Sequence, residues 1–436
     1  MTNGNGLSLQ FPDVNGRKIE GDFDGGEVSS DGGVLLVRQV DRWIGFTKRL
    51  AEVLPDPRDP DRITHSLESL LQQRLYGLAL GYEDLNDHNA LRHDVVWQTA
   101  AGRDEALGSS STLCRWENRA GRKEAWLFHQ VLFEQFVGSF EAPPEELILD
   151  FDATDDRVHG AQVNAFYNGY YGDYCFLPLY VFCGEQLLVS YLRPSNIDGA
   201  RHAWAVLALL VKALRRQWPQ VRILLRADSG FCRWKMFRWC DRHGVDYLVG
   251  VGKNTRLTTL SAELQAQAEA QHQQHGDKVR LFGEFAYKAH PWDRERRVIV
   301  KAEHNAHGPN PRYLVTNRAE LPQELYEVKY CARGEMENHV KAQQLDLFSD
   351  RTSCHGWWAN QLRLLFSGGA YVLLEALRRL GLEGTELARA QVGTLRLKLL
   401  KVGTIVVRNT RRVRLWFSSA FPLQELFRQC LACFYG

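Results

Sequence analysis

Leu147-Ile148-Leu149-Asp150-Phe151-Asp152-Ala153-Thr154-Asp155-Asp156 is the stretch whose reading decides the fold. A short apolar run enters four aspartates within seven residues. The apolar part is too short for a helix of its own and reads as a buried strand. Side chains alternate along a strand, so Asp150 and Asp152 point to the same side. Burying an unpaired carboxylate is costly. A strand end accepts that cost most commonly to hold a divalent cation. The competing reading is a strand running into an acidic turn, since Asp is a good turn residue. The stretch alone leaves both open, and the rest of the chain separates them.

A chain of 436 residues predicts two or three domains and a large core. At 44% apolar and 24% charged residues, without long Gly/Ser or Pro tracts, the composition excludes a disordered chain. A net charge of +2 does not announce a nucleic-acid binder. Its distribution says more: from Glu375 onward there are eleven Lys and Arg against four Glu. Such a segment suits a polyanionic partner, or is simply a solvated basic face. Of nine cysteines only Cys430 and Cys433 form a C-x-x-C, with no second pair to complete a zinc site, so buried reduced thiols are expected. Residues 1–10 lack a signal-peptide pattern. No segment reaches the roughly 18 uninterrupted apolar residues of a membrane span, so a cytoplasmic protein is expected.

Around that stretch the chain divides. Residues 1–30 are Gly- and Asp-rich and read as extended. Residues 34–50 read as a helix after the turn Ser29-Ser30-Asp31-Gly32-Gly33, and 64–79 as a second helix with Leu67, Leu70, Leu71, Leu75 and Leu78 on one face. The string Ser109 to Arg119, with Arg115 at its middle, reads as a capped helix of the kind that reads DNA, or as any capped surface helix. Pro143-Pro144 marks a boundary. Beyond it, 174–182 and 186–192 read as a hairpin, 200–217 as a helix, 221–225 as a strand, 232–243 as a helix and 245–251 as a strand. This alternation predicts an α/β core with a mixed sheet. Residues 255–318 read as an inserted block, helical then β-rich. Residues 322–347 return to helix, with Tyr330, Arg333, Glu337 and Lys341 on one face. The expected domains are therefore 1–143 (α-helical N-terminal, DNA-binding), 144–254 (first part of the core), 255–318 (insertion), 319–380 (core helices) and 381–436 (basic segment).

Three acidic positions sit where metal chemistry needs them. Asp152 ends the first strand of the core, and Asp228 follows a later strand at the turn Ser229-Gly230. Ligand sites of α/β sheets gather at such strand ends. Glu337 lies on the helix beyond the inserted block. Two strand-end aspartates and a helical carboxylate suit two Mg²⁺ ions roughly 4 Å apart for phosphoryl transfer.

Tyr330-x-x-Arg333-x-x-x-Glu337 resembles the Y-x2-R-x3-E signature of bacterial insertion-sequence DDE transposases. The stretches 149–154 and Arg226-Ala227-Asp228-Ser229-Gly230-Phe231 resemble their two aspartate motifs. Three longer strings, 82–88, 165–172 and 193–200, are similar to one branch, transposase DDE group 1, the insertion-sequence family numbered thirteen-eighty. The resemblance runs over roughly 29–427. It implies an RNase H-like catalytic core with a β-rich insertion, and metal binding by Asp152, Asp228 and Glu337 to two Mg²⁺, with Mn²⁺ able to substitute. It implies that Tyr330 and Arg333 contact transposon-end DNA or order the site. The wider signature has a lysine seven residues after the Glu; here Gln344 stands there, with Lys341 one turn after Glu337. Trp292, among Arg294, Arg296 and Arg297, is a candidate to stack on an unpaired base or a core residue of its block. The implied activity is metal-dependent cleavage and strand transfer at terminal inverted repeats of double-stranded DNA, by a homodimer without membrane attachment. A metal-dependent nuclease or resolvase of the same fold, and a non-catalytic DNA-binding descendant, are the alternatives.

Overall fold

A computed structural model describes residues 9–435. Most of the 1–10 stretch read as lacking a signal peptide therefore lies outside the described residues. The chain forms two compact units. One combines Lys48–Pro55 with Arg115–Glu375, the other Met1–Thr47, Asp56–Cys114 and Ala376–Gly436.

The first unit is built on a nine-stranded mixed sheet. Its principal strands are β1 (Glu146–Ala153), β2 (Leu179–Cys183), β3 (Gln186–Tyr191), β4 (Arg222–Ala227), β5 (Asp246–Val251), β6 (Val279–Tyr287), β7 (Arg296–Asn305) and β8 (Arg312–Thr316). Their order is β6-β7-β8-β5-β4-β1-β2-β3, and the two-residue strand Gly308–Pro309 pairs on β7. β4 runs parallel to β1 and β5. The other pairs are antiparallel. Parallel neighbours require crossovers, and these are α2 (Ala203–Gln217) before β4 and α3 (Trp234–His243) before β5, following α1 (Arg122–Gly138) of the same unit. Central strands covered on both faces read as continuous apolar runs. Leu149, Phe151 and Leu225 accordingly pack with Leu207, Leu214 and Phe237 on one face. Leu224, Leu248 and Ile148 pack with Leu325 and Tyr326 on the other.

Several elements depart from expectation for local reasons. Within the 255–318 block, β8 pairs with β5, so β6 to β8 extend the central sheet and satisfy the outer edge of β5. Residues 174–182 split into Asp173–Phe176 and β2, in different sheets, because Leu177-Pro178 intervenes and proline has no N–H for a ladder. The helix expected over 34–50 breaks at Gly45, whose φ of 66° caps Val34–Ile44. From Pro322 onward the chain is helical but irregular. Wide i→i+5 turns at Leu325–Tyr330 and Ala342–Asp346 flank α4 (Gly334–Lys341).

The second unit contains the helices Val34–Ile44 and Leu67–Leu80, the latter capped by Ser66. It also contains the C-terminal hairpin Thr404–Arg408/Val413–Phe417, which pairs with Val28–Ser29. The described part of the segment expected to be extended holds another hairpin, Leu9–Val14/Arg17–Gly21. Buried Asp31 ties the unit together. It accepts hydrogen bonds from Tyr82 Oη (2.7 Å), Trp97 Nε1 (2.9 Å) and Lys401 Nζ (2.8 Å). No helix among the described residues is long and apolar enough to cross a membrane. Of the cysteines, Cys175, Cys240, Cys354 and Cys430 are buried, whereas Cys114, Cys331 and Cys433 are exposed.

Candidate active site

In the β1–β4 ladder Asp150 lies opposite Arg226 and Phe151 opposite Ala227. Continuing that register one step sets Asp152 level with Asp228, at the ends of adjacent parallel strands. Alternation then puts Asp150, Asp152, Arg226 and Asp228 on one face of the sheet. The two inner residues neutralise each other: Arg226 grips Asp150 through Nε (2.5 Å) and Nη2 (2.7 Å). Burial pushes the Asp150 carboxyl up, and the Arg226 charge opposes the shift. Arg226 also donates to the carbonyl of Lys329. That bond, with Leu325 and Tyr326 seated on the sheet, anchors the irregular helix immediately before Tyr330.

The outer residues form the candidate site. Arg333 Nη2 donates to Glu337 Oε1 at 2.9 Å, and Arg333 Nη1 lies 3.6 Å from Asp152 Oδ2. Tyr330 Oη lies against Gly250 on β5, where an added Cβ would come within 2.9 Å of it and 2.8 Å of the Ser229 nitrogen. A side chain at 250 would therefore disturb both the hydroxyl and the turn that carries Asp228. Asp228 accepts from Gly230 N at 2.9 Å, fixing that turn. Burial pushes Asp152 up to about 6; Arg333 opposes this, and the charges of Asp228 and Glu337 add to it. Burial acts to lower the Arg333 pKa, but Asp152, Tyr330, Asp228 and Glu337 outweigh it, so the guanidinium is held more firmly charged.

Among the described residues no three Asp, Glu, His or Cys side chains are grouped closely enough to grip one ion. The donor chemistry nevertheless suits a hard divalent cation. Three carboxylates face a single guanidinium, and Asp228 and Glu337 each disfavour the charge on Asp152. Glu337 is half-exposed, with its Oε1 held by Arg333.

The remaining expected residues scatter. Lys341 is exposed on α4, and Arg115 is exposed on Ser110–Glu117. On that helix Trp116 packs on Phe366, and Glu117 pairs with Arg363 at 2.8 Å. Trp292 is 5% exposed and packs between Phe237 and Tyr287. Its flanking arginines are engaged as well, Arg296 with Asp241 and Asp293, and Arg297 with Glu284. A ring buried in the core offers no face to a base, and the stacking expectation for Trp292 is withdrawn. Gln344, at the position of the wider signature's lysine, donates to Asp155 O (2.8 Å) and Thr154 Oγ1 (3.3 Å). It ties the helix to the end of the motif. Arg226 was missed as a functional neighbour, although its place two residues before Asp228 repeats the spacing of Asp150 before Asp152.

The family model described as transposase DDE domain group 1 matches residues 11–434, and the chain belongs to that family. No curated protein matches it. Among solved structures, a piggyBac transposase synaptic complex with hairpin DNA aligns over 84% of this chain and 80% of that chain, at 9% identity and a TM-score of 0.41.

Proposed function

We propose that this member of the transposase DDE family cleaves DNA at terminal inverted repeats and joins the freed end to target DNA, on an RNase H-like core. The sheet order β3-β2-β1-β4-β5, with β4 parallel to β1, supports that core assignment. The observation that carries the reading is the level placement of Asp152 and Asp228, with Arg333 reaching both Asp152 and Glu337. Asp152, Asp228 and Glu337 would hold the divalent ions, two Mg²⁺ with Mn²⁺ as substitute; Asp150 is committed to Arg226. When bound, the ions supply Lewis acidity to the phosphoryl centre and lower the proton affinity of the attacking hydroxyl. Arg333 positions Glu337 and Asp152, and Tyr330 supports the Asp228 turn; both order the site from half-buried positions. Lys341 and Arg115, both exposed, would meet phosphates. So would the hairpin tip of the C-terminal segment, where Arg411, Arg412 and Arg414 are exposed. Synapsis of two ends calls for a homodimer.

The test is strand transfer from a pre-cut terminal-repeat duplex into plasmid DNA with Mg²⁺. Joined product is expected from the native chain, and its loss by at least about a hundredfold from Asp228→Ala. Hydrolysis without joining, or an Asp228→Ala variant as active as the native chain, overturns the reading.

A further inference from the structure

The string 165–172 lies near the carboxylates but takes no part in holding them. Past the end of β1, Asp156–Arg157 enters a small antiparallel sheet with Asp173–Phe176, which pairs in turn with Phe166–Asn168. The hairpin closes through Gly172, at φ +71°, whose N–H reaches the Asn168 carbonyl at 2.8 Å. It displays four tyrosines. Tyr170 is 89% exposed, Tyr174 59% and Tyr167 57%, while Tyr171 is half-buried. Their rings pair edge to face, Tyr167 with Tyr174 at 5.6 Å and Tyr170 with Tyr171 at 4.9 Å.

The display is held rigid. Asn168 accepts from Tyr170 N (3.0 Å) and donates to Ser195 O (2.9 Å), and Ser195 Oγ donates to Phe166 O (2.7 Å). Underneath, Asp156 takes the Thr352 hydroxyl at 2.6 Å. The hairpin adjoins the acid site through the chain, since Asp156, which follows Asp152 on the same strand exit, pairs with Phe176; besides burial, the charges of Asp155 and Asp152 raise the Tyr171 pKa. Its one arginine is outnumbered by carboxylates. Arg157 lies 3.5 Å from Asp155 and 3.8 Å from Asp173. Carboxylates here repel a phosphate backbone, so a strand lying on this hairpin must turn its bases, not its phosphates, toward the rings. Tyrosine faces stack on any base without reading sequence.

We propose that the tyrosine hairpin 166–174 receives an unpaired nucleobase of the DNA strand end on which the Asp152–Asp228–Glu337 site acts. This rests on the transposase reading. Unstacking a base next to the scissile phosphate opens the duplex where the carboxylates must reach it.

The experiment uses the full chain and two DNA probes sharing one duplex sequence. One is blunt, and the other carries a short single-stranded overhang containing 2-aminopurine. The native chain is expected to quench the 2-aminopurine and to prefer the overhang probe by about tenfold. Tyr170→Ala and Tyr167→Ala remove most of that preference and the quenching at unchanged Tm, and Tyr170→Trp restores both. Asp228→Ala keeps both while losing cleavage. Alanine variants that quench and discriminate like the native chain overturn the proposal. So does a native chain that cleaves with Mg²⁺ yet shows no overhang preference, which leaves the transposase reading standing. A native chain that neither binds nor cleaves either probe removes both.

Discussion

Four aspartates within seven residues, identical in chemistry, end in four different environments. Asp150 is spent on Arg226, Asp152 meets Arg333, Asp155 lies by Arg157, and Asp156 is buried on Thr352. The Asp150–Arg226 pair is nearly dry, so Arg226→Ala leaves a buried charge without its partner. A loss of about 3–5 kcal/mol in urea unfolding is expected. Asp156 offers a pH test. Burial pushes its carboxyl up to about 8, with the charges of Asp350 and Asp155 adding to the shift, from an ordinary value of 3.8. A raised carboxyl favours the protonated folded state. Its contribution is full below 3.8 and is lost as pH rises through about 8, at up to about 1.4 kcal/mol per pH unit. Asp156→Asn keeps an acceptor for Thr352 and carries no charge. Its Tm should match the native chain near about pH 4 and exceed it increasingly toward about pH 8; parallel curves would refute the assignment.

At the scale of elements, the site depends on an irregular helix meeting two strand ends. Leu325 and Tyr326 seat that helix on the sheet, Arg226 holds the Lys329 carbonyl, and Gln344 ties its far end to Thr154 and Asp155. The wide turns on either side of α4 change the helical phase, which a face drawn from regular spacing cannot include. Tyr330 and Arg333 reach the strand ends all the same, with Glu337 held on Arg333, while Lys341 remains in solvent. Gly250 is the contact point between this helix and the strand ends. Gly250→Ala pushes on the Tyr330 hydroxyl and the Ser229 nitrogen together. Strand transfer should fall at least about tenfold, and the Tm should fall as well, because the Ser229 nitrogen is backbone and cannot swing aside. Native-like activity in that variant would show that Tyr330 does not order Asp228.

At the scale of the molecule, the basic C-terminal segment has a structural task. Lys401 completes the Asp31 cluster, and Arg396 donates to the carbonyls of Ala79 and Leu78. Gly33 has no room for a Cβ, which would sit 2.3 Å from the Leu400 Cα. The glycines read as a capping turn are therefore where two distant segments of one unit touch. Removing residues 381–436 should expose Leu67–Leu80 to hydrogen exchange, not simply weaken DNA binding. Lys401→Met should lower the Tm while leaving the salt dependence of DNA affinity unchanged. A truncated chain with native protection in that helix would contradict this.

What the sequence determined by itself was local. The strand into Asp152, the turn after Asp228, the helix bearing Glu337 and the family resemblance all lie in short windows, where period, turn chemistry and spacing are written residue by residue. Tertiary structure decided which charges remain available for chemistry. Asp150 and Asp152 share one strand face and one residue type, and only the register of β1 against β4 places Arg226 opposite the former. Trp292 and Tyr167, Tyr170 and Tyr174 are all aromatic, and only packing buries the first and exposes the others. Burial and partner choice depend on residues far apart in the chain, so the local pattern that located the site did not contain them.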